Sequence, residues 1–488
     1  LPDLGDVSDA SVSEQQEKTI GRRIMQEIRA DRSHVDDAEL QDYIKALGGR
    51  LVAATPGTFN DNRRDFEFFL LLDDQINAFA FFGGVVGTNS SLILATQSEA
   101  ELAGVMGHEI AHIVQRHLSR GVDSQRKAAP LQMLGLALAI LAARSNSSSS
   151  GQATEAAVAT TAALQMQNQL DFTREFEREA DRMGIQILTR AGFEPQGMVS
   201  FFERLLRASR HADGKVPGYL RTHPLTTERI ADMQNRVDQM KSEQRAAAAD
   251  SIDYRFAQAK LRVLAMGAKD AAPWFRQEIA QRTVLRNRAD HYGLALALAR
   301  ANDYREAERE LAVVRPGAPN AWVETLAAEL AAAQRKWDEA LQIYRAGMQA
   351  FPQHRALVYG YLNTLFESGQ IDAALAAVND RLKSNKDDPR LYEMAARCHE
   401  RKNQRLLKHR ALAESYFRQG NLAGAIDQME LAVRAKDGDF YEVSGAEARL
   451  RELKLAFRNR PLLPGEKRDT PRDREEDEPA PRPGNRRG

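Results

Sequence analysis

The five residues His108-Glu109-Ile110-Ala111-His112 combine the types and spacing needed to hold a zinc ion and to activate a water beside it. Two histidines four positions apart lie about 40° apart around a helix of 3.6 residues per turn, so both imidazoles can reach one metal. Glu109 follows the first of them and can face a water on that metal. A zinc ion with three protein ligands keeps its fourth position for such a water and lowers its pKa to roughly 7, which lets a neighbouring carboxylate take the proton. His108 and His112 are therefore candidate ligands of one Zn2+ per chain, and Glu109 is the candidate general base.

The pattern has only three fixed positions, so the surrounding residues must decide between a metal site and a plain pair of core histidines. Ser98-Glu99-Ala100-Glu101 has the form of a capping box, and Leu102, Val105, Met106, Ile110 and Ile113 follow at helical spacing. The motif thus falls on a buried helix. Gly104 and Gly107 each weaken a helix by up to about 1 kcal/mol, which predicts close approach of another backbone.

A third ligand is required. The extended pattern HExxHxxGxxH would need Gly at 115 and His at 118, where the chain has Gln115 and Leu118, so the metzincin class is excluded. His117 lies half a turn from His108 if the helix continues, which predicts that it faces solvent or a neighbouring element and takes no part. Downstream, Phe176-Glu177-Arg178-Glu179-Ala180-Asp181 offers carboxylates on a second helix. Glu177 and Asp181 are one turn apart on a shared face, whereas Glu175 and Glu179 point roughly oppositely. With Glu177 on the metal, Asp181 is placed to hydrogen-bond a ligating histidine; a solvated, ion-paired face is the bland alternative.

HEIAH and FEREADRMG, preceded by Asn77-Ala78-Phe79-Ala80-Phe81-Phe82-Gly83-Gly84, resemble the zinc metallopeptidase family that includes the heat-shock membrane protease HtpX and the CAAX prenyl protease. Similarity runs over nearly the whole chain to periplasmic members of Gram-negative bacteria that join such a peptidase to tetratricopeptide repeats. The resemblance implies zinc on His108, His112 and Glu177, catalytic base Glu109, a supporting acid at Asp181, and an edge strand near Asn77, Ala78 and Phe79 that aligns substrate. Glu67 to Leu72 and Ile76 to Phe82 are short apolar runs parted by Asp73-Asp74, which reads as a hairpin and supports the strand; a plain core strand is the alternative.

His223 stands in Arg221-Thr222-His223-Pro224-Leu225, a turn before a helix expected from about Thr226 to Met240, because a residue preceding proline is pushed out of helical geometry. The resembling family carries a similar His-Pro motif. From such a turn His223 could approach zinc from the open side, either to stabilise an oxyanion or to take the water's place as a fourth ligand; the second would make a self-inhibited protease.

Between the motif helices, Ser119 to about Thr173 is a long insertion containing an apolar run, 131–143, followed by serines to Ser150. Thirteen residues with a glutamine inside cannot span a bilayer, so this is expected to be a buried helix or a peripheral contact with a membrane surface or partner. The serine run reads as a loop, gating or inert.

At 488 residues the chain is too long for one core, and a formal net charge of zero leaves no basic footprint for nucleic acid. One cysteine, Cys398, permits no internal disulfide. The start Leu1-Pro2-Asp3 fits a mature form after signal-peptide removal.

From about Ser251 helical hairpins recur. Ala272, Ala307, Ala340 and Ala374 open the second helix of each pair at separations of 35, 33 and 34, which resembles tetratricopeptide repeats, about four in number. Ala425 comes 51 residues later, so an odd helix or irregular pair is expected around Leu391 to Lys408. The expected class is mainly α: an α+β zincin-type metallopeptidase domain over 1–250, with a small sheet and the HExxH helix, then an α-solenoid of tetratricopeptide-like repeats over 251–458. A charged, proline-rich disordered tail over 459–488 completes it.

The two halves together predict an endopeptidase that recruits polypeptides and cleaves misfolded or stalled ones. The resemblance implies the periplasm as location, with outer-membrane β-barrel proteins and their assembly machinery as clients and partners. Two alternatives stand beside it: a chaperone or scaffold in which zinc stabilises the fold and hydrolysis is rare, and a processing peptidase with one defined substrate.

Overall fold

The computed structural model describes residues 13–56, 66–124, 174–210, 217–240, 250–281, 287–317 and 319–461. The apolar run at 131–143, the serine run after it and the tail beyond 461 lie outside them.

Helix α1 (Glu14–Ala30) is opened by a reciprocal capping box between Ser13 and Gln16 and buries Ile20, Ile24, Met25 and Ile28. In α2 (Ala38–Ala53), the Asp37 side chain accepts the amide of Leu40 at the N-terminus. Three strands follow, β1 (Glu67–Leu71), β2 (Ala78–Phe81) and β3 (Val85–Asn89). Their order is β1-β3-β2, with β3 parallel to β1 and antiparallel to β2.

The expected hairpin is therefore corrected: β1 and β2 do not pair, because β3 lies between them. The Asp73-Asp74 turn is tied elsewhere, its Asp73 amide donating to Ser90 Oγ and its Asp73 carbonyl accepting from Ser91 Oγ at 2.5 Å. Those bonds hold the connection against the start of α3 (Ser90–Ala95) and part the two strands. Gly87 makes the insertion of β3 sterically feasible, since a Cβ there would fall 2.1 Å from the Phe79 ring and 2.5 Å from the Phe69 ring.

Helix α4 (Glu99–Val114) carries the HExxH motif and is buried from Glu99 to Ile113. Ser98 Oγ accepts the Glu101 amide, but the capping box is not reciprocal. Arg204 takes the Glu101 carboxylate through two bonds of 2.7 and 2.6 Å, and the Gln97 amide takes a third. After α4 come α5 (His117–Ser124), α6 (Arg174–Arg190), α7 (Gln196–Arg210), the short α8 (Gly218–Thr222) and α9 (Thr227–Asp238).

The glycines of α4 do what their cost predicts. A Cβ on Gly104 would lie 2.7 Å from Met198 Cβ and 2.9 Å from its Cα on α7, while Gly107 faces the Gly184 backbone of α6. Gly104→Ala is therefore expected to destabilise the protein by about 1–3 kcal/mol, because overpacking against a backbone atom outweighs the helix-propensity gain. A melting temperature equal to or above the parent's would contradict this.

The second half is a run of twelve helices: α10 (Ile252–Met266), α11 (Ala268–Gln281), α12 (Asn287–Arg300), α13 (Tyr304–Val314), α14 (Ala321–Ala333), α15 (Trp337–Ala350), α16 (Arg355–Glu367), α17 (Ile371–Ser384), α18 (Pro389–Arg401), α19 (Arg405–Arg418), α20 (Leu422–Arg434) and α21 (Phe440–Arg458). Among the described residues each of them packs against its neighbours in the run. The irregularity expected around Leu391 to Lys408 is present as an additional helix, α18, and Ala425 is the fourth residue of α20, the place that Ala307, Ala340 and Ala374 take in α13, α15 and α17.

The repeats do not hang free of the first half. One apolar core runs from Val35 through Met106 and Phe202 to Tyr254, Tyr292 and Trp322. Lys260 of α10 reaches Asp37 at 2.7 Å and Glu39 at 2.6 Å, and Ser251 Oγ donates to Glu99 at 2.8 Å. Farther out, Arg390 of α18 pairs with Asp36 at 2.6 Å. A cavity of about 720 Å3 opens between the halves, lined in part by Arg29, Lys45, Phe68, Arg355, Tyr359 and Arg390; no candidate site residue borders it. Among the described residues no helix is long and apolar enough to cross a membrane.

Candidate metal centre

Helix α4 presents His108, Glu109 and His112, all fully buried, toward one side. Helix α6 crosses it and brings Glu177 and Asp181 to the same point, each 1% exposed, as their one-turn spacing requires. His223, closing α8, enters from the third side. One donor atom from each of His108, His112, Glu177 and His223 lies within 4.8 Å of all the others.

These distances test whether a metal fits. The two Nε2 atoms face each other at 3.0 Å, Glu177 Oε2 lies 3.4 Å from His108 Nε2, and Glu177 Oε1 lies 3.5 Å from His112 Nε2. Ligands at about 2.0–2.1 Å from a tetrahedral zinc are about 3.3 Å apart, so the three donors already span one face of such a site. Glu109 supplies a second observation: among the described residues neither of its buried carboxylate oxygens has a hydrogen-bond partner. His223 Nε2 lies 3.5 Å from its Oε1. A dry, unbonded carboxylate is costly, and a cation with an attendant water is the arrangement that removes the cost.

The protonation states agree. Burial and the His108 charge hold His112 well below the usual imidazole range, leaving it neutral with a lone pair. Burial opposes the charge on Glu177, yet His223 and His108 outweigh it and keep the carboxylate ionised. His108 is pulled down by burial but pushed up to about 9 by Asp181 and Glu177; the proton it holds there is the one a metal displaces on binding.

Sequence comparison places this centre in context. The sequence model of peptidase family M48 matches residues 38–237, and that of the tetratricopeptide repeat matches 331–398. The chain is 36% identical over 432 residues to the beta-barrel assembly-enhancing protease of Escherichia coli (strain K12), covering 88% of this chain and 85% of that protein. It is 35% identical over 461 residues to the protein of the same name in Yersinia pestis, covering 93% and 91%. The chain belongs to peptidase family M48. It is a metalloendopeptidase, mainly α, with a zincin-type domain ahead of tetratricopeptide repeats. A more distant M48 relative is the mitochondrial metalloendopeptidase OMA1 of Saccharomyces cerevisiae, 31% identical over 160 residues that cover 32% of this chain and 42% of that one.

In this M48 peptidase, Asp181 Oδ1 stands 3.1 Å from His108 Nδ1, the contact expected from its place on α6. Sequence reasoning missed what holds Asp181. Arg229 of α9, 3% exposed, donates Nε and Nη2 to the two Asp181 oxygens at 2.7 and 2.8 Å, and its Nη1 lies 2.8 Å from Glu177 Oε2 and 2.6 Å from the Pro224 carbonyl. Three acids converging on one buried point require a cation nearby, and that requirement was the available signal.

His117 departs from expectation. It is 0% exposed, with Nδ1 2.9 Å from His112 Nδ1 and Nε2 3.0 Å from Glu179 Oε2. The angular reading failed because α4 ends at Val114 and Arg116 takes φ +54°, so the chain reverses and His117 folds back onto the helix it just left. Burial pulls its imidazole down to about 4 against the pull of Glu179. Glu179, expected to point away, reaches it because His117 has moved to that side.

His223 reaches the centre through its turn. Its amide donates to the Tyr219 carbonyl at 2.8 Å and its ring stacks on buried Tyr219 at 4.7 Å. Nδ1 lies 3.0 Å from Glu177 Oε1. Strand β2 forms an edge of the described sheet, with Ala78 buried and Phe79 to Phe81 partly exposed. Asn77 is 8% exposed, and its carbonyl accepts the Asn89 amide.

Proposed function

We propose that the chain is a periplasmic zinc endopeptidase that degrades misfolded or stalled proteins, among them outer-membrane β-barrel proteins at their assembly machinery. His108, His112 and Glu177 would hold the zinc, Glu109 would move the protons and Asp181 would orient His108. The observation that carries the reading is the convergence of these ligating atoms beside a Glu109 carboxylate that has no hydrogen bond among the described residues. The names of the bacterial relatives support the client class, and the run of packed helices supplies a surface for recruitment. The proposed division is a peptidase over 1–250, repeats over 251–458 and a tail over 459–488.

When bound, zinc supplies Lewis acidity, polarising a carbonyl and making water acidic enough to lose a proton near neutrality. Glu109 takes that proton on a carboxylate oxygen and returns it to the leaving amine. Asn77, Ala78 and Phe79 lie at the sheet edge, where an extended peptide adds through main-chain hydrogen bonds and selectivity comes from alternate side chains. Zinc stoichiometry measured alongside casein cleavage, with and without a chelator, tests the reading. About one zinc per chain and cleavage abolished by the chelator are expected; a metal-free yet active protein would refute it.

His223 sits between Glu177 and Glu109, 3.0 Å from the one and 3.5 Å from the other. We assign it a self-inhibiting role as an added ligand. His223→Ala is then expected to cleave casein about 3- to 10-fold faster, since the variant removes the closed population. A loss of activity would instead mark His223 as the donor that stabilises the oxyanion. The same closure favours a second reading, a scaffold in which hydrolysis is rare, and a cleavage rate that stays negligible in His223→Ala would support it.

A further inference from the structure

The two ring nitrogens His112 Nδ1 and His117 Nδ1 face each other at 2.9 Å, so one carries a proton and the other accepts it. His112 Nε2 is turned toward His108 and Glu177, where a cation requires a lone pair. In a neutral imidazole that leaves the proton on Nδ1, which must donate to His117. His117 can accept only if its own proton is on Nε2, and there it meets Glu179 Oε2 at 3.0 Å, a carboxylate oxygen that only accepts. Arg120 donates to the same Glu179 oxygen at 2.8 Å. The Phe176 ring stacks on His117 at 4.6 Å and 7°, with the Arg120 guanidinium 4.5 Å from the same ring. The arrangement parallels the one behind His108, where Asp181 and Arg229 do the same work without an intervening histidine.

We propose that Arg120, Glu179 and His117 form a relay that fixes the tautomer and ring orientation of His112, which makes His117 a positioning residue of the metal centre. The inference rests on His112 being a zinc ligand. Outer partners of ligating histidines raise metal affinity about 10- to 100-fold.

Competition for zinc with a chromophoric chelator, using the full chain, tests it. His117→Phe keeps a ring to stack on Phe176 but offers no acceptor, and its zinc dissociation constant is expected to rise about 10- to 100-fold. The melting temperature of the metal-free protein, which a merely structural role would lower, is expected to stay within a few degrees. His117→Asn restores an acceptor near the Nδ1 position and should recover most of the affinity. Should His117→Phe not fold, Glu179→Ala at a partly exposed position serves, with an expected weakening of at least threefold. Zinc affinity within twofold of the parent in His117→Phe, or in Glu179→Ala where only that variant folds, overturns the relay provided His112→Ala releases the metal. If His112→Ala keeps its zinc, the ligand assignment fails first and the relay falls with it.

Discussion

Glu109→Gln is expected to reduce casein cleavage by about 10²–10⁴-fold while zinc content and client binding persist. The substitution conserves shape in a fully buried position and removes only the ability to accept a proton. Among the described residues both Glu109 oxygens lack hydrogen bonds, so the amide breaks none. Melting temperature should therefore hold or rise, which separates a lost proton acceptor from a lost fold. Cleavage at the parent's rate by a zinc-loaded Glu109→Gln protein would remove the proteolytic role from this residue.

Arg229→Met should have the largest effect on stability of any single change around the centre. The guanidinium is 3% exposed and serves Asp181 at two atoms, Glu177 at one and the Pro224 carbonyl at another. Removing one side of a buried ion pair costs about 3–5 kcal/mol, because the remaining charge is left without a partner. Two carboxylates are left here. The variant is expected to melt well below the parent and to lose zinc, and Arg229→Met with Asp181→Asn should recover part of the loss. A single variant that melts within about a degree of the parent would show that the network is not what holds α6 and α9 together.

What could be read from the sequence was local. The HExxH spacing, the glycines of α4 and the shared face of Glu177 and Asp181 follow from helical geometry within one or two turns, and the fold reproduces them. The failures occur at turns and at contacts between distant parts of the chain. The left-handed turn at Arg116, made without glycine, turned His117 from a bystander into a neighbour of His112. The pairing of β3 between β1 and β2 depends on bonds from Ser90 and Ser91 to Asp73, which no periodicity encodes. Arg229 reaches Asp181 from 48 positions away, a separation that pattern reading does not bridge. The repeat spacing was legible for the opposite reason: Ala307, Ala340, Ala374 and Ala425 are each the fourth residue of their helix, and the 51-residue gap before Ala425 holds the additional helix α18.

The unbroken core between the catalytic half and the first helix pairs bears on how the molecule could be regulated. Tyr254 hydroxyl sits 2.9 Å from Thr96, two positions before the cap of α4, and Glu99 at the start of α4 is bonded by Ser251 and Tyr43. A client that tugs on the solenoid would therefore load, through these contacts, the start of the helix that bears His108 and His112.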